Sequence, residues 1–288
     1  MEKTELKELQ LLAAKIRLDV IELLKHRGYG HLGGSMSIVE LMAVLYGKYL
    51  HVDPANPKME DRDMVVLSKG HSGPAWYSAL AEKGFFPKEK LMTLNDGGTM
   101  LPSHPDRTKT PGVDMTTGSL GQGTSSAAGI ALGQKLKGQD RYTYMIVGDG
   151  ELNEGQCWEA FQFVAARKLN NCIVIIDDNK RQLDGYTKDV LYPFDYVRKM
   201  EAFGFYTQKV KGDDIEAIAE AIENAHNHKD GANCIVLDSI KGQGVKYFEE
   251  LKSNHSVKFN NDRINRAADD AIASLKAFIE KEEAYCSS

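Results

Sequence analysis

The chain has little of what marks several large protein classes. Its four cysteines, Cys157, Cys172, Cys234 and Cys286, are scattered along 288 residues with no CxxC pair. That gives neither a zinc knuckle nor a disulfide framework, so free thiols in a reducing cytoplasm are expected. Positive charge is not in excess: 36 Lys and Arg against 41 Asp and Glu leave a formal net charge of −5, which offers no attractive field to nucleic acid. Apolar runs are short, Cys172 to Ile176 being typical of the longest, far from the ~20 residues that cross a bilayer. The first fifteen residues mix Glu and Lys with Leu and lack the apolar centre of a secretory signal. No internal repeat and no low-complexity tract is present. What remains, 42% hydrophobic and 27% charged residues, is ordinary for a globular chain long enough for one large α/β domain or two small ones.

Leu6, Leu9, Ala13, Ile16, Val20 and Leu24 recur at three- and four-residue intervals and predict an opening helix ending near Gly28. Further helices are expected over 37–50 and 73–83, with a short buried strand over 64–67. From the middle onward, strands are predicted at 142–147, 172–176, 206–210 and 234–237. Amphipathic stretches such as 154–168 and 213–227 separate them. Continuous apolar strands alternating with such helices imply a mostly parallel, doubly wound α/β sheet with helices on both faces. Segment 95–117, rich in Gly, Pro, Thr and Asp without periodicity, reads as an extended surface connection, and the tail 280–288 as frayed.

The most informative segment is Gly148-Asp149-Gly150-Glu151-Leu152-Asn153-Glu154-Gly155, which follows a strand and precedes a helix. Glycines let the backbone approach an anion, and the amides and dipole of a helix start favour phosphate. Asp149 is placed to bind a hard cation bridging phosphate oxygens. One helix and one strand later comes Asp177-Asp178-Asn179-Lys180-Arg181. The carboxyl ends of neighbouring parallel strands share one crevice, so Asp149 and Asn179 are expected to reach the same ion. An isolated Gly-Asp-Gly is as readily a tight turn, and the second polar strand end is what shifts the balance.

Gly148-Asp149-Gly150 with Asn179 resembles the diphosphate and metal motif of thiamine-diphosphate enzymes. The wider wording resembles transketolase, in particular the amino-terminal half that forms a separate subunit in split transketolases. The likeness runs over nearly the whole chain, through Gly30-His31-Leu32-Gly33-Gly34, Leu67-Ser68-Lys69-Gly70-His71, Leu101-Pro102-Ser103-His104-Pro105 and Thr117-Gly118-Ser119-Leu120-Gly121-Gln122-Gly123. It implies thiamine diphosphate as cofactor with Mg2+, Ca2+ or Mn2+ being substitutes, held by Asp149, Asn179 and the carbonyl of Arg181. It implies Gly148, Gly150, Glu151 and His71 near the diphosphate, and Gly118, Ser119 and Leu120 along the pyrimidine. Lys241, in Lys241-Gly242-Gln243-Gly244, falls on the family's turn near the substrate and aminopyrimidine. Glu154 falls near the family's subunit boundary, although a carboxylate at a helix start is favoured by capping alone. His31, His71, His104 and His255 match positions around the reacting sugar. Imidazole suits proton movement on and off sugar hydroxyls near neutrality. His255 carries the least support, because Ser253-Asn254-His255-Ser256 has Ser where the family usually has Gly.

The resemblance implies transfer of a two-carbon ketol unit from a ketose phosphate to an aldose phosphate. It also implies half an enzyme. Residues 1–288 make a single diphosphate- and metal-binding domain, while the pyrimidine-binding and carboxyl-terminal domains are expected on a partner chain, in an α2β2 cytoplasmic assembly. Two alternatives share the fold: a decarboxylating subunit of a 2-oxo-acid dehydrogenase and a non-catalytic regulatory subunit. A deoxyxylulose phosphate synthase is expected to be one long chain. A dinucleotide-binding dehydrogenase fits worse, because the glycines at 118–123 do not follow a clear strand.

Overall fold

Strands and helices alternate as the apolar runs require: β1 (Met64–Leu67), β2 (Thr143–Gly148), β3 (Cys172–Asp178), β4 (Tyr206–Lys211) and β5 (Asn233–Asp238). They form one parallel sheet in the order β1-β2-β3-β5-β4. The computed structural model describes residues 1–286. The principal helices are α1 (Lys3–Arg27), α2 (Gly73–Lys83), α3 (Gln122–Leu136), α4 (Gly155–Ala166), α5 (Ile215–Asn227) and α6 (Asp262–Cys286).

Every residue of β2 and β3 is buried, as expected of strands covered on both faces. Successive side chains take opposite sides of the sheet. Val65, Leu67, Tyr144, Ile146, Ile173, Ile175, Ile235 and Leu237 face a core shared with α1, α2 and α5. Val66, Met145, Val147, Val174, Ile176, Cys234 and Val236 face a second core, built with α3 and α4. The sheet is therefore doubly wound, and the five predicted strands lie within a residue or two of their expected bounds. Cys157, Cys172 and Cys234 are free and buried; the side chain of Cys286 lies outside the described residues.

Two expectations need correction, and one helix is unforeseen. The helix expected over 37–50 is broken: Val39–Val44 is α-helical and Leu45–Tyr49 widens into a π turn. Gly47 there meets α1 so closely that a Cβ would lie 2.5 Å from a methyl carbon of Leu9. The 15-residue helix α3 is not foreseen by periodicity, because Gly129, Gly133 and its serines weaken helical propensity. The tail does not fray at 280. Helix α6 runs to Cys286, with Lys15 and Lys276 paired to Glu283 and Glu22 across α1, while 287–288 lie outside the described residues. Burial of its Ile264, Ala268, Ile272 and Leu275 stripe against the first core is a tertiary contact that terminal position does not reveal. Helix α1 stops where predicted, at Gly28, whose positive φ of 85° forms a left-handed cap. Segment 95–117 carries no regular element, although Leu101 and Val113 are buried.

Candidate functional site

In a parallel sheet all carboxyl ends lie on one edge, and here that edge collects the polar motifs. Ser68-Lys69-Gly70-His71 follows β1, Asp149 follows β2, Asn179 follows β3 and Lys241 lies beyond β5. Gly148 and Asp177 are register partners, so Asp149 and Asn179 stand one and two residues past the same rung. The Asp149 amide donates to the Asp177 carbonyl at 3.1 Å. A 3-10 turn, Gly150–Asn153, intervenes before α4.

Asp149 is 2% exposed. Its Oδ1 accepts the Gly150 amide at 2.8 Å, while Oδ2 is buried with no partner. Burial, then the nearby Asp177 and Asp178 carboxylates, raise its carboxyl above the ordinary range. An unpartnered buried carboxylate oxygen is costly unless something positive completes it. Asn179 is held on both sides: Nδ2 donates to Asp177 at 2.7 Å and Oδ1 accepts the Arg181 amide at 3.2 Å. The Arg181 carbonyl accepts Lys241 Nζ at 3.0 Å and keeps a second lone pair. Among the described residues no group of three His, Cys, Asp or Glu is arranged to hold a metal alone. One carboxylate, one amide oxygen and one carbonyl are instead the partial oxygen set that Mg2+ takes from a protein when phosphate oxygens and water supply the rest. The residues present fit that group.

The four histidines meet around His31, whose ring lies 5.7 Å from His71, 5.5 Å from His104 and 5.3 Å from His255. His71 and His255 are 4.8 Å apart. Close backbone approach makes this possible: a Cβ on Gly34 would lie 3.0 Å from His71 Nε2, and one on Gly33 would lie 2.7 Å from Lys241 Cγ. Burial depresses every one of these imidazoles. His31 falls to about 4, with His104 and Lys241 adding to the effect. His255 falls to about 3, with Lys241 the next cause. His71 and His104 fall as well. All four are neutral at pH 7. Lys241 Nζ, itself lowered chiefly by burial, lies 3.1 Å from His255 Nδ1. An ammonium only donates, so Nδ1 accepts and Nε2 carries the ring hydrogen.

Other expected residues take varied places. Gly118 lies beside His104, with a Cβ there 3.2 Å from the ring. Ser119 and Leu120 are exposed. Glu154 is exposed, makes no cap hydrogen bond to α4 and approaches Gly121. Glu151 turns inward, with both its carboxylate oxygens occupied within the protein by Ser68, Gly121 and Gly148.

The sequence pattern also conceals a hub. Asp177, fully buried, accepts from Lys69 Nζ (2.6 Å), Ser37 Oγ (2.7 Å), Asn179 Nδ2 and Ser239 Oγ. Burial alone would raise its carboxyl, but Lys69 and the two hydroxyls hold it below the ordinary range. Lys69 also donates to the Gly34 carbonyl at 2.8 Å. The available signal is an apolar strand running straight into two acids.

This geometry agrees with what the chain is similar to. Residues 9–283 match the family described as transketolase, thiamine diphosphate binding domain. The chain belongs to the transketolase family. It is 45% identical over 257 residues to the 6-deoxy-6-sulfo-D-fructose transketolase subunit SqwG of Clostridium sp. (strain MSTE9), covering 88% of this chain and 93% of that one. It is 37% identical over 242 residues to an apulose-4-phosphate transketolase subunit of Actinobacillus succinogenes, covering 84% and 87%. The transketolase structure from Campylobacter jejuni superposes with a TM-score of 0.84 at 26% identity, over 95% of this chain and 43% of that one. This transketolase chain thus spans under half the length of the solved enzyme and nearly all of the relatives named as subunits.

Proposed function

We propose that this chain is the cofactor-binding subunit of a two-chain transketolase, moving a two-carbon ketol unit from a ketose to an aldose together with a complementary subunit. The observation that carries the reading is the unpartnered Asp149 Oδ2, one residue past the rung that Asn179 also follows, together with neutral His71, His104 and His255 gathered around neutral His31. A regulatory scaffold has no use for such a donor set, and a decarboxylating dehydrogenase subunit lacks family support here. Asp149, Asn179 and the Arg181 carbonyl would hold Mg2+, or Ca2+ or Mn2+ in its place, against the diphosphate. Gly148, Gly150 and His71 would line the diphosphate, and Gly118, Ser119 and Leu120 the pyrimidine. Bound thiamine diphosphate supplies the stabilised carbanion chemistry that a ketol transfer needs. The chain's own part is proton management: neutral His31, His71 and His104 accept protons from sugar hydroxyls, and His255 Nε2–H donates to a sugar oxygen.

The complementary subunit supplies the pyrimidine-binding half, in an α2β2 cytoplasmic assembly. No helix among the described residues is long and apolar enough to cross a membrane. Relatives named for 6-deoxy-6-sulfo-D-fructose and for apulose 4-phosphate favour a donor with an anionic group over an exclusive place in pentose phosphate metabolism.

The test is ketol transfer to ribose 5-phosphate with thiamine diphosphate and Mg2+, using this chain alone and mixed with the carboxyl-terminal subunit from the same source. Xylulose 5-phosphate, fructose 6-phosphate and 6-deoxy-6-sulfofructose serve as donors. Turnover only in the mixture is expected. Turnover by the lone chain refutes the half-enzyme reading, and silence with every donor despite cofactor binding favours the regulatory one.

A further inference from the structure

Glu151 lies two residues beyond Asp149 and is 2% exposed, yet it does not open onto the cleft. Oε1 accepts the Ser68 hydroxyl and the Gly121 amide, the latter at 2.9 Å, and Oε2 accepts the Gly148 amide at 3.1 Å. These donors belong to three separate connections. Ser68 follows β1 and leads into Lys69 and His71. Gly121 closes the Gly118-Ser119-Leu120 turn and caps α3. Gly148 ends β2 and adjoins Asp149.

The same connections are packed backbone to backbone. Thr117 Oγ1 donates to the Leu67 carbonyl at 2.7 Å. A Cβ on Gly123 would lie 2.6 Å from Ser68 Oγ, and one on Gly70 would lie 2.9 Å from the Gly118 nitrogen. A carboxylate suits this junction because it only accepts and has two oxygens to share among three donors. It also places negative charge at the amino end of α3, where the dipole favours it.

We propose that Glu151 is a positioning residue that fixes the Gly118-Ser119-Leu120 turn relative to the Asp149 loop and His71 before the cofactor arrives. It sets how tightly the cofactor is held and leaves the chemical step to other groups. This rests on the thiamine diphosphate reading of the site.

The test is Glu151→Gln, which keeps the length of the side chain but turns an NH2 group toward donors. In the cofactor-free chain, amide hydrogen exchange at Gly121 and Gly148 should rise about tenfold, as loss of one such bond implies. With the complementary subunit, half-saturation by thiamine diphosphate with Mg2+ should shift upward about tenfold or more. At saturating cofactor, kcat should stay within about threefold of the unaltered protein, because an outer contact acts through affinity. Ser68→Ala removes one donor and should move the same quantities in the same direction by less. Unchanged exchange in Glu151→Gln overturns the proposal, as does a loss of kcat with cofactor affinity intact, which would mark a catalytic contact. If Glu151→Gln does not fold, the same two readouts on Ser68→Ala decide. Failure of the unaltered subunits to bind thiamine diphosphate would overturn the cofactor reading instead, and the exchange measurement would still report on the brace.

Discussion

The two edges of the sheet both hold histidines with depressed titration, and they are otherwise unlike. At the amino edge, His226 stacks on Tyr142 at 4.0 Å, meets Tyr49 edge-on at 5.4 Å and shares a 2.8 Å hydrogen bond between Nε2 and the Tyr144 hydroxyl. Burial lowers it to about 4, as it does His31 at the carboxyl edge. The tyrosines close His226 in and use its polar atom. At the carboxyl edge the imidazoles face one another, and a buried carboxylate oxygen is left over. A shifted pKa therefore reports burial at either edge. What separates a site from a seal is whether polar capacity remains for something else.

The strongest way to break this comparison is Asp149→Ala. Magnesium and thiamine diphosphate binding should be lost together, by about 100-fold or more, since a ligand counts for more than its outer-shell supports. Calorimetric titration checks this, and unchanged cofactor binding would contradict the metal assignment. Next comes His31→Ala, for which kcat/KM in the two-subunit assay should fall about 100-fold or more, the scale of a lost acid–base group.

His226→Ala should do the reverse, leaving kcat/KM within about twofold while costing about 1–3 kcal/mol in denaturant unfolding, because the Tyr144 hydroxyl loses its partner. A large activity loss there would erase the distinction between the edges. The smallest effect lies in pH. His226 titrates near 4 when folded and near 6.5 when free, so the unfolded chain binds more protons between those values. Its contribution to stability is present above pH 6.5 and is lost as pH falls toward 4. His226→Phe should therefore flatten part of the fall in Tm across that window, measured by calorimetry against the unaltered chain. A Tm that falls as steeply in the variant would assign the acid sensitivity to other groups.

Much of the architecture was legible in the sequence, for reasons that differ by element. β2 and β3 announce themselves because the unbroken apolar runs 144–147 and 172–176 have only one place to go. Gly28 ends α1 because a left-handed cap is a local demand. Helix α3 escapes notice because its buried face is made of Ala127, Ala128 and Ala131, too small for a clear stripe beside Gly129 and Gly133. The π turn at Leu45–Tyr49 answers to α1 packing on Gly47, which is no neighbour in sequence. Within the site, Asp149 and Asn179 stand out through their strand-end glycines and polar runs. Asp177 and Lys69 do not, since nothing local pairs residues on different strands.

The sequence by itself determined which segments are strands, where the glycine-bearing turns fall and which polar residues sit at strand ends, because these follow from side-chain period and backbone freedom over a few residues. Only the tertiary structure decided that His31, His71, His104 and His255 share one cleft, that Asp177 gathers four donors and that Glu151 turns inward while Asp149 keeps an oxygen free. Those outcomes depend on the order β1-β2-β3-β5-β4 and on which face each loop crosses, and strand order is set by burying both sides of the sheet at once.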